Sequence, residues 1–317
     1  MNLSFMCDYN SMTTLLRNSG YKLKYLDELK MDFFDYCEQK FPETEVLNKE
    51  LAEDWIHNTN TKSKNIMNNR IQVMKKLGAY QQSIGKNAYI PNYSIKLDPS
   101  PEPILFSDEQ LFEFFELADQ FQPDYRSPHR EIIFPILFRL LYACGLRTSE
   151  CCQLKMEDVD LDSQLLNIYH SKGHKDRIVY ISDDMCELCK KFNKYYSQIM
   201  PERVYFFQPS KEKEFYTPTD VNNHFRKILS KSSFYNPSQK QPTPHGLRHL
   251  FAVNNLRKCI EKGEDFNNWI QYLAQYMGHN NIRDTLYYLH MVTQLIPSYI
   301  PKITKMIEGI GVKYVEE

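Results

Sequence analysis

The sequence lacks any uninterrupted run of about 18 apolar residues, the length at which a membrane-spanning helix is expected. Its first residues also lack a basic stretch followed by a long apolar run, which is the pattern of a secretory signal. We therefore expect no contact with a membrane and a cytoplasmic location. The 317 residues are 42% hydrophobic and 25% charged, which is typical of a soluble globular protein with room for two domains.

Glycine is scarce, and its positions are informative for that reason. Only ten glycines occur, and four of them fall within short polar motifs, at Gly145, Gly173, Gly246 and Gly278. Glycine is needed where the backbone turns tightly or approaches a ligand closely. These motifs are therefore the first candidates for a functional site.

Paired metal-binding cysteine motifs are also missing. Among the eight cysteines, Cys186 and Cys189 form a single C-x-x-C with no second pair to complete a zinc site. They lie in a segment predicted to be helical after Ser182, where they are expected to contribute small apolar side chains to a buried face. We expect no metal and no other cofactor.

The arrangement of helical and strand patterns predicts a mainly α-helical protein with a small β-sheet. Helical segments at about 24–41, 48–58 and 62–78 indicate an all-α N-terminal domain. Proline-dense residues 96–104 are predicted to be a linker. The residues that follow alternate between helical patterns and one β-hairpin around a turn at 171–176, so the second domain is α+β.

Two arginine motifs indicate how the second domain could bind a phosphate. They are Gly-Leu-Arg-Thr-Ser-Glu at 145–150 and His-Gly-Leu-Arg-His at 245–249. A phosphodiester in transfer develops negative charge on its non-bridging oxygens, and guanidinium groups bind such oxygens bidentately. Arg147 and Arg248 fit that role, and Glu150, one turn after Arg147, could orient its guanidinium by a salt bridge.

The remaining reacting groups can be assigned by the same reasoning. Tyr288 could attack the phosphate if a base takes the phenol proton, because a free phenol has a pKa of about 10. His245 could supply that base, and Lys172, beside Gly173, could donate a proton to the leaving oxygen. His279, after Gly278, could donate a further hydrogen bond to the phosphate.

At this point the residues resemble the tyrosine recombinases, also called the phage integrase family, of the Xer and Cre type. The resemblance rests on the motifs at 145–150 and 245–249, on Lys-Gly-x-Lys-x-Arg at 172–177, on Gly-His at 278–279, and on a tyrosine nine residues later. It covers roughly residues 21–292. It implies a SAM-like helical core-binding domain at 21–95 that clamps DNA, and a catalytic domain at 105–292. Residues 1–20 form an extension that matches nothing recognisable.

The resemblance also implies the reaction and the catalytic residues. A 3′-phosphotyrosine forms, a free 5′-hydroxyl leaves, and strands are exchanged through a Holliday junction without metal or ATP. The catalytic residues would be Arg147, Lys172, His245, Arg248, His279 and Tyr288. Tyr287 is the competing nucleophile, but the spacing from His279 favours Tyr288, and adjacent helical side chains point about 100° apart. A type IB topoisomerase and a catalytically silent DNA-binding accessory protein remain alternatives.

The charge of the chain is nearly balanced, with 39 basic and 40 acidic side chains, although many DNA-binding domains are strongly basic. Counterions are released only where cations meet phosphates, so a local basic surface is sufficient. The alternative for such clusters is a solvated helix face. The candidate DNA-binding residues are Lys62, Lys64, Arg70, Lys75, Lys175 and Arg177.

Residues 293–317 carry an isoleucine stripe at alternating steps of four and three, from Ile296 to Ile310. Such a stripe buries one face of a helix, either against its own domain or, as the resemblance implies, against a neighbouring subunit. The expected partners are double-stranded DNA target sites and further copies of this chain, which would form a tetramer on paired sites. An accessory DNA-bending protein is a further possible partner.

Overall fold

The computed structural model describes residues 3–21, 24–57, 63–97, 102–169 and 176–295, and the chain divides into two compact units. Unit 1 comprises Met1–Pro101, and unit 2 comprises Glu102–Glu317. Helices predominate, with one three-stranded sheet, which confirms the predicted fold class. Within the described ranges, no helix is both long and apolar enough to cross a membrane.

The described part of unit 1 contains four helices. They are α1 (Leu3–Asn18), α2 (Lys24–Lys40), α3 (Lys49–His57) and α4 (Lys64–Ser83). Aromatic side chains from three of them, Phe5, Tyr9, Phe33 and Trp55, are fully buried and form its core. The rings of Phe33 and Trp55 meet edge to face at 4.9 Å between centroids, a favourable aromatic geometry. Helix α1 supplies two of these rings, so most of the N-terminal extension at residues 1–20 belongs to this core.

Arg70 corrects one of the DNA-binding predictions. Its side chain is only 8% exposed, and its guanidinium binds Asp32 at 2.9 Å, donates to the carbonyl oxygen of Trp55, and stacks 4.8 Å from the centre of the Trp55 ring. The guanidinium therefore stabilises the interior of unit 1 and does not contribute to a basic outer surface. The exposed Lys64 and half-buried Lys75 remain candidates, whereas Lys62 lies outside the described residues.

The described part of unit 2 contains eight α-helices, one 3₁₀ turn and three strands. In chain order they are α5 (Asp108–Asp119), α6 (Arg130–Cys144), α7 (Thr148–Cys152), the 3₁₀ turn (Met156–Asp158), β1 (Val159–Asp160), β2 (Leu165–Ile168), β3 (Arg177–Tyr180), α8 (Asp183–Ile199), α9 (Pro218–Leu229), α10 (Pro244–Lys262), α11 (Phe266–Met277) and α12 (Arg283–Leu295). The strands are antiparallel in the order β1-β2-β3, and Ile168 pairs with Arg177. The predicted hairpin is therefore present, and its tip at 170–175 lies outside the described residues.

Two helix ends in unit 2 determine where the site forms. Helix α6 ends at Gly145 and α11 at Gly278, with φ angles of 58° and 67° in the left-handed region that glycine adopts without strain. At Gly145 a side chain is also excluded sterically, because an added Cβ would lie 2.4 Å from a ring carbon of Phe251 in α10. Helix α10 packs against both α6 and α12. The polar motifs at the two helix ends are therefore held beside α10.

Candidate active site

Glu150 is the anion at the centre of the site. It lies in the short helix α7, and its side chain is 4% exposed. Its carboxylate accepts hydrogen bonds from the Arg147 guanidinium at 2.7 Å, from the Arg147 backbone N–H at 2.9 Å, and from both terminal nitrogens of Arg177 at 2.9 and 2.7 Å. The predicted salt bridge to Arg147 is therefore present, and Arg177 is an additional partner.

These contacts keep Glu150 ionised. Burial raises the pKa of Glu150, but hydrogen bonds and charge from Arg177 and Arg147 outweigh burial and lower it to about 2. Arg177 also donates from Nε to the backbone oxygen of Tyr276 at 2.7 Å. Its side chain is 6% exposed, so Arg177 does not form the basic DNA-facing surface that the sequence predicted. It instead connects strand β3 to α7 and α11.

The two predicted phosphate-binding arginines are anchored to neighbouring carbonyl oxygens. Arg147 donates to Gly278 O at 2.6 Å, and Arg248 donates to Met277 O at 2.7 Å and to Gly145 O at 2.6 Å. These carbonyls belong to the ends of α11 and α6, where unpaired oxygens and the helix dipole favour cations. The structure therefore brings both guanidiniums to one place.

Arg248 is almost completely buried, at 2% exposure. Burial and the charge of Arg147 lower the pKa of Arg248 to about 10, so the guanidinium stays protonated at neutral pH. Each guanidinium has five N–H donors. The contacts described above engage both terminal nitrogens of each guanidinium and so fix the orientation of both groups.

Tyr288 lies beside these arginines, in α12. It is 4% exposed, whereas the adjacent Tyr287 is 41% exposed. Burial raises the pKa of the Tyr288 phenol, while the charge of Arg248 and a hydrogen bond from it act in the opposite direction. The phenol is therefore protonated at rest and lies next to a cation that favours its anion. Tyr287 has no comparable environment.

Three histidines surround the phenol. His249 Nδ1 lies 3.1 Å from the Tyr288 hydroxyl oxygen, and the His279 ring stacks on the Tyr288 ring at 6.0 Å between centroids. The His245 ring contacts the His249 ring edge to face at 4.5 Å. His279 Nδ1 bonds with the Thr285 hydroxyl at 2.7 Å, which fixes the orientation of its ring.

All three imidazoles are neutral at pH 7. Burial, followed by the positive charge of Arg248 and Arg147, lowers the pKa of His245 and of His279 to about 4. Burial and the neighbouring imidazoles and Arg248 lower the pKa of His249 to about 3. Although protein atoms surround the His245 ring closely enough to lower its pKa, part of this residue is exposed to solvent, so it lies at the rim of the site. A neutral imidazole can accept a proton at one nitrogen and donate one from the other.

The sequence motif at 245–249 gave no separate role to His249, but the structure puts its imidazole in hydrogen-bond contact with Tyr288. The spacing carried a signal for this, because residues four apart on a helix share one face, and His249 follows His245 by four. Lys172 and Lys175 lie outside the described residues. The predicted residues brought together are Arg147, His245, Arg248, His279 and Tyr288.

The C-x-x-C pair contributes to the packing of unit 2. Cys186 and Cys189 are both buried in α8, as predicted for apolar side chains on an inward face. Across the described ranges, no group of three or more histidine, cysteine, aspartate or glutamate side chains is arranged to hold a metal ion.

Known proteins are similar to this chain in both sequence and structure. Residues 116–294 match the model described as the phage integrase family. A tyrosine recombinase of Pseudothermotoga lettingae is 34% identical over 161 residues, which are 50% of this chain and 50% of that protein. Tyrosine recombinase XerA of Thermococcus kodakarensis is 31% identical over 169 residues, 50% of this chain and 51% of the relative. The chain thus spans about half the length of these two relatives.

A solved structure shares the fold. The Tn1549 transposon integrase, in complex with transposon right end DNA, superposes with a TM-score of 0.59 at 14% identity, covering 93% of this chain and 99% of that one. The family match alone covers more than half of the sequence, and the five residues brought together lie within it. This chain therefore belongs to the phage integrase family, the tyrosine recombinases.

Proposed function

We propose that this protein is a site-specific recombinase that cuts and rejoins double-stranded DNA in the cytoplasm through a 3′-phosphotyrosine. The observation that carries the proposal is the juxtaposition of a buried phenol with two guanidiniums that are anchored to adjacent carbonyls at one helix end. A phosphodiester placed between these arginines would lie beside the hydroxyl of Tyr288. That arrangement suits in-line attack on phosphorus.

Each residue then has a defined part in the reaction. Arg147 and Arg248 bind the non-bridging oxygens and stabilise the charge that develops on them. Tyr288 attacks phosphorus, and His279 donates a further hydrogen bond to the phosphate. His245 assists proton transfer at the nucleophile from the rim of the site. Lys172, which lies between β2 and β3 in the sequence, protonates the leaving 5′ oxygen.

The phosphotyrosine conserves the energy of the broken bond, so religation to a second strand requires neither ATP nor metal. Two rounds of exchange through a Holliday junction complete recombination in a tetramer on paired DNA sites. Unit 1, which includes the predicted core-binding domain at 21–95, clamps DNA with Lys62, Lys64 and Lys75, and Lys175 contributes from the catalytic domain. An accessory DNA-bending protein assists assembly.

Residues 293–317 dock on a neighbouring copy in this proposal. Residues from 296 onward lie outside the described part of the chain, so this assignment rests on the isoleucine stripe alone. Deletion of residues 297–317 tests it. The truncated protein should fold and bind DNA as a monomer but lose cooperative assembly, whereas unfolding of the truncated monomer would show that the stripe packs within its own domain.

The central test uses nicked suicide duplexes with a randomised central segment, from which covalent protein–DNA adducts are selected and sequenced. Wild-type protein should form an adduct that survives denaturation and is attached through a 3′-phosphate. Tyr288→Phe should bind the selected duplex with unchanged affinity and give no adduct. Tyr287→Phe is the matched control and should react as the wild type does. An adduct that persists in Tyr288→Phe and vanishes in Tyr287→Phe would reassign the nucleophile.

The same duplex library and variants distinguish the recombinase from a type IB topoisomerase and from a silent accessory protein. A type IB topoisomerase would relax supercoiled plasmids of unrelated sequence, whereas a recombinase should enrich one site from the library and exchange strands between two copies of it. A silent accessory protein would enrich a bound sequence without any adduct in the wild type. Recovery of one site with covalent capture and exchange supports the proposal.

A further inference from the structure

The hydroxyl of Tyr288 has two polar neighbours with different capacities. The guanidinium of Arg248 lies close enough to favour the phenolate, and His249 Nδ1 lies 3.1 Å from the hydroxyl oxygen. An arginine can only donate hydrogen bonds, so Arg248 cannot accept the phenol proton. The phenol proton must then point elsewhere. Of these two neighbours, only the imidazole nitrogen of His249 can accept it.

A hydrogen bond from the phenol to Nδ1 requires one tautomer of His249. If Nδ1 accepts the phenol proton, the ring carries its own proton on Nε2 and is neutral. The neutral form is consistent with the surroundings of the ring, because burial and the neighbouring groups lower the pKa of His249 and so disfavour a second ring proton in the free protein. The ring is also fixed on two sides, by edge contact with His245 and by a tilted contact with the Tyr288 ring at 5.4 Å between centroids. The phenol oxygen is thus held between one donor and one acceptor.

We propose that His249 is the catalytic residue that takes the proton of Tyr288 during strand cleavage and returns it during religation, whereas His245 acts from the rim beside it. The inference rests on the proposed function of this site. In the forward step the Tyr288 O–H bond breaks and the proton passes to Nδ1 of His249. The oxygen–phosphorus bond forms, the bond from phosphorus to the 5′ oxygen breaks, and that oxygen takes a proton from Lys172.

Proton transfer to His249 is coupled to the presence of DNA. In the free protein burial, the neighbouring imidazoles and Arg248 disfavour an imidazolium at His249. A bound phosphodiester places negative charge beside Arg248 and offsets its repulsion, so the basicity of His249 rises when the substrate is in place. The nucleophile therefore remains protonated until there is a phosphate to attack.

The test measures single-turnover cleavage of the selected suicide duplex by His249→Ala. General-base catalysis contributes typically about 10² to 10⁴-fold, so the rate should fall by at least about 100-fold while DNA affinity is unchanged. The pH dependence should change as well. Without an internal base the rate should rise with pH up to the ionisation of the phenol, and added imidazole should restore part of it. His290→Gln, an exposed histidine on the same helix as Tyr288, is the matched control.

A second substrate distinguishes the two ends of the reaction. A 5′-bridging phosphorothiolate has a leaving group that departs without a proton, so it rescues a missing acid but not a missing base. His249→Ala should stay equally slow on this substrate. Rescue would overturn the proposal by assigning the residue to the leaving group, and so would cleavage by His249→Ala at the wild-type rate.

His249→Asn separates proton acceptance from simple positioning and serves if the alanine variant does not fold. The asparagine amide oxygen can accept a hydrogen bond from the phenol but cannot take its proton. The proposal predicts that His249→Asn is as slow as His249→Ala, whereas a wild-type rate would reduce His249 to a positioning residue and refute the proposal. Wild-type adduct formation and its loss in Tyr288→Phe establish the function of the site separately, whichever result the His249 variants give.

Discussion

Glu150→Gln should destabilise unit 2 by an amount that the structure allows us to work out. The side chain is 4% exposed and is surrounded by Arg147 and Arg177, which hold its pKa at about 2 against an ordinary value near 4.5. One pKa unit corresponds to about 1.4 kcal/mol, so this lowering contributes on the order of 3 kcal/mol of stability at neutral pH. An independent estimate agrees, because removal of one partner from a buried ion pair typically destabilises a fold by about 3 to 5 kcal/mol.

The sign of the pH dependence follows from the same lowering. A carboxyl whose pKa is depressed in the folded state stabilises the fold above the pKa of the unfolded chain. That contribution is lost as the pH falls through the folded value. The difference in the free energy of unfolding between wild type and Glu150→Gln should therefore have its full value at pH 7, decline below about pH 4.5, and disappear near pH 2.

The assay is hydrogen exchange measured by mass spectrometry on peptides that cover α6 and α7, because these report on unit 2 separately from unit 1. Glu157→Gln is the control. Glu157 forms an ion pair with Lys155 at 2.9 Å, but its side chain is 72% exposed, so its removal should leave the free energy of unfolding unchanged within error. A loss below about 1 kcal/mol for Glu150→Gln, or the same loss at pH 7 and pH 3, would refute the reasoning.

Two further predictions follow from the fold. Arg70→Met should destabilise unit 1 by about 2 kcal/mol, because the carbonyl and ring contacts of the guanidinium are lost, and should leave the salt dependence of DNA binding unchanged. Lys64→Met should instead lower by about 1 the slope of the logarithm of the DNA-binding constant against the logarithm of salt concentration. Equal effects of the two variants on this slope would contradict the buried position of Arg70. Gly145→Ala should cost more stability and cleavage activity than Gly263→Ala in denaturation and suicide-substrate assays. Both have positive φ, but only Gly145 would bring a new Cβ against Phe251.

Local sequence patterns were sufficient for the features that depend on neighbours in the chain. Ser-Asp-Glu-Gln at 107–110 is a capping-box sequence, and in the structure Gln110 N donates to the Ser107 oxygen at 3.2 Å. The helix end at Gly145 and the salt bridge from Arg147 to Glu150 were likewise readable, because all their partners lie within a few residues. Residues 1–20 were left unassigned, although Phe5 and Tyr9 recur at helical spacing.

Other features depend on partners that are distant in sequence, and no local pattern specifies them. Arg177 looked like part of a basic cluster, but its partner Glu150 lies 27 residues earlier and draws it into the interior. Arg70 similarly meets Asp32, 38 residues away. His249 meets Tyr288 only because α10 and α12 pack together. Composition indicates that cations are present, whereas tertiary packing determines which of them remain accessible to DNA.

Arg147 and Arg248, the arginines proposed to bind phosphate, are held by carbonyl oxygens at the C-terminal ends of α6 and α11. Each residue inserted into a helix rotates everything beyond it by about 100° and advances it by about 1.5 Å. A single insertion or deletion in either helix would therefore turn the anchoring carbonyls away from the guanidiniums and abolish the arrangement of the site, even if the core repacked. Surface positions on these helices are not constrained in this way, but the lengths of the two helices are fixed by the contacts at their ends.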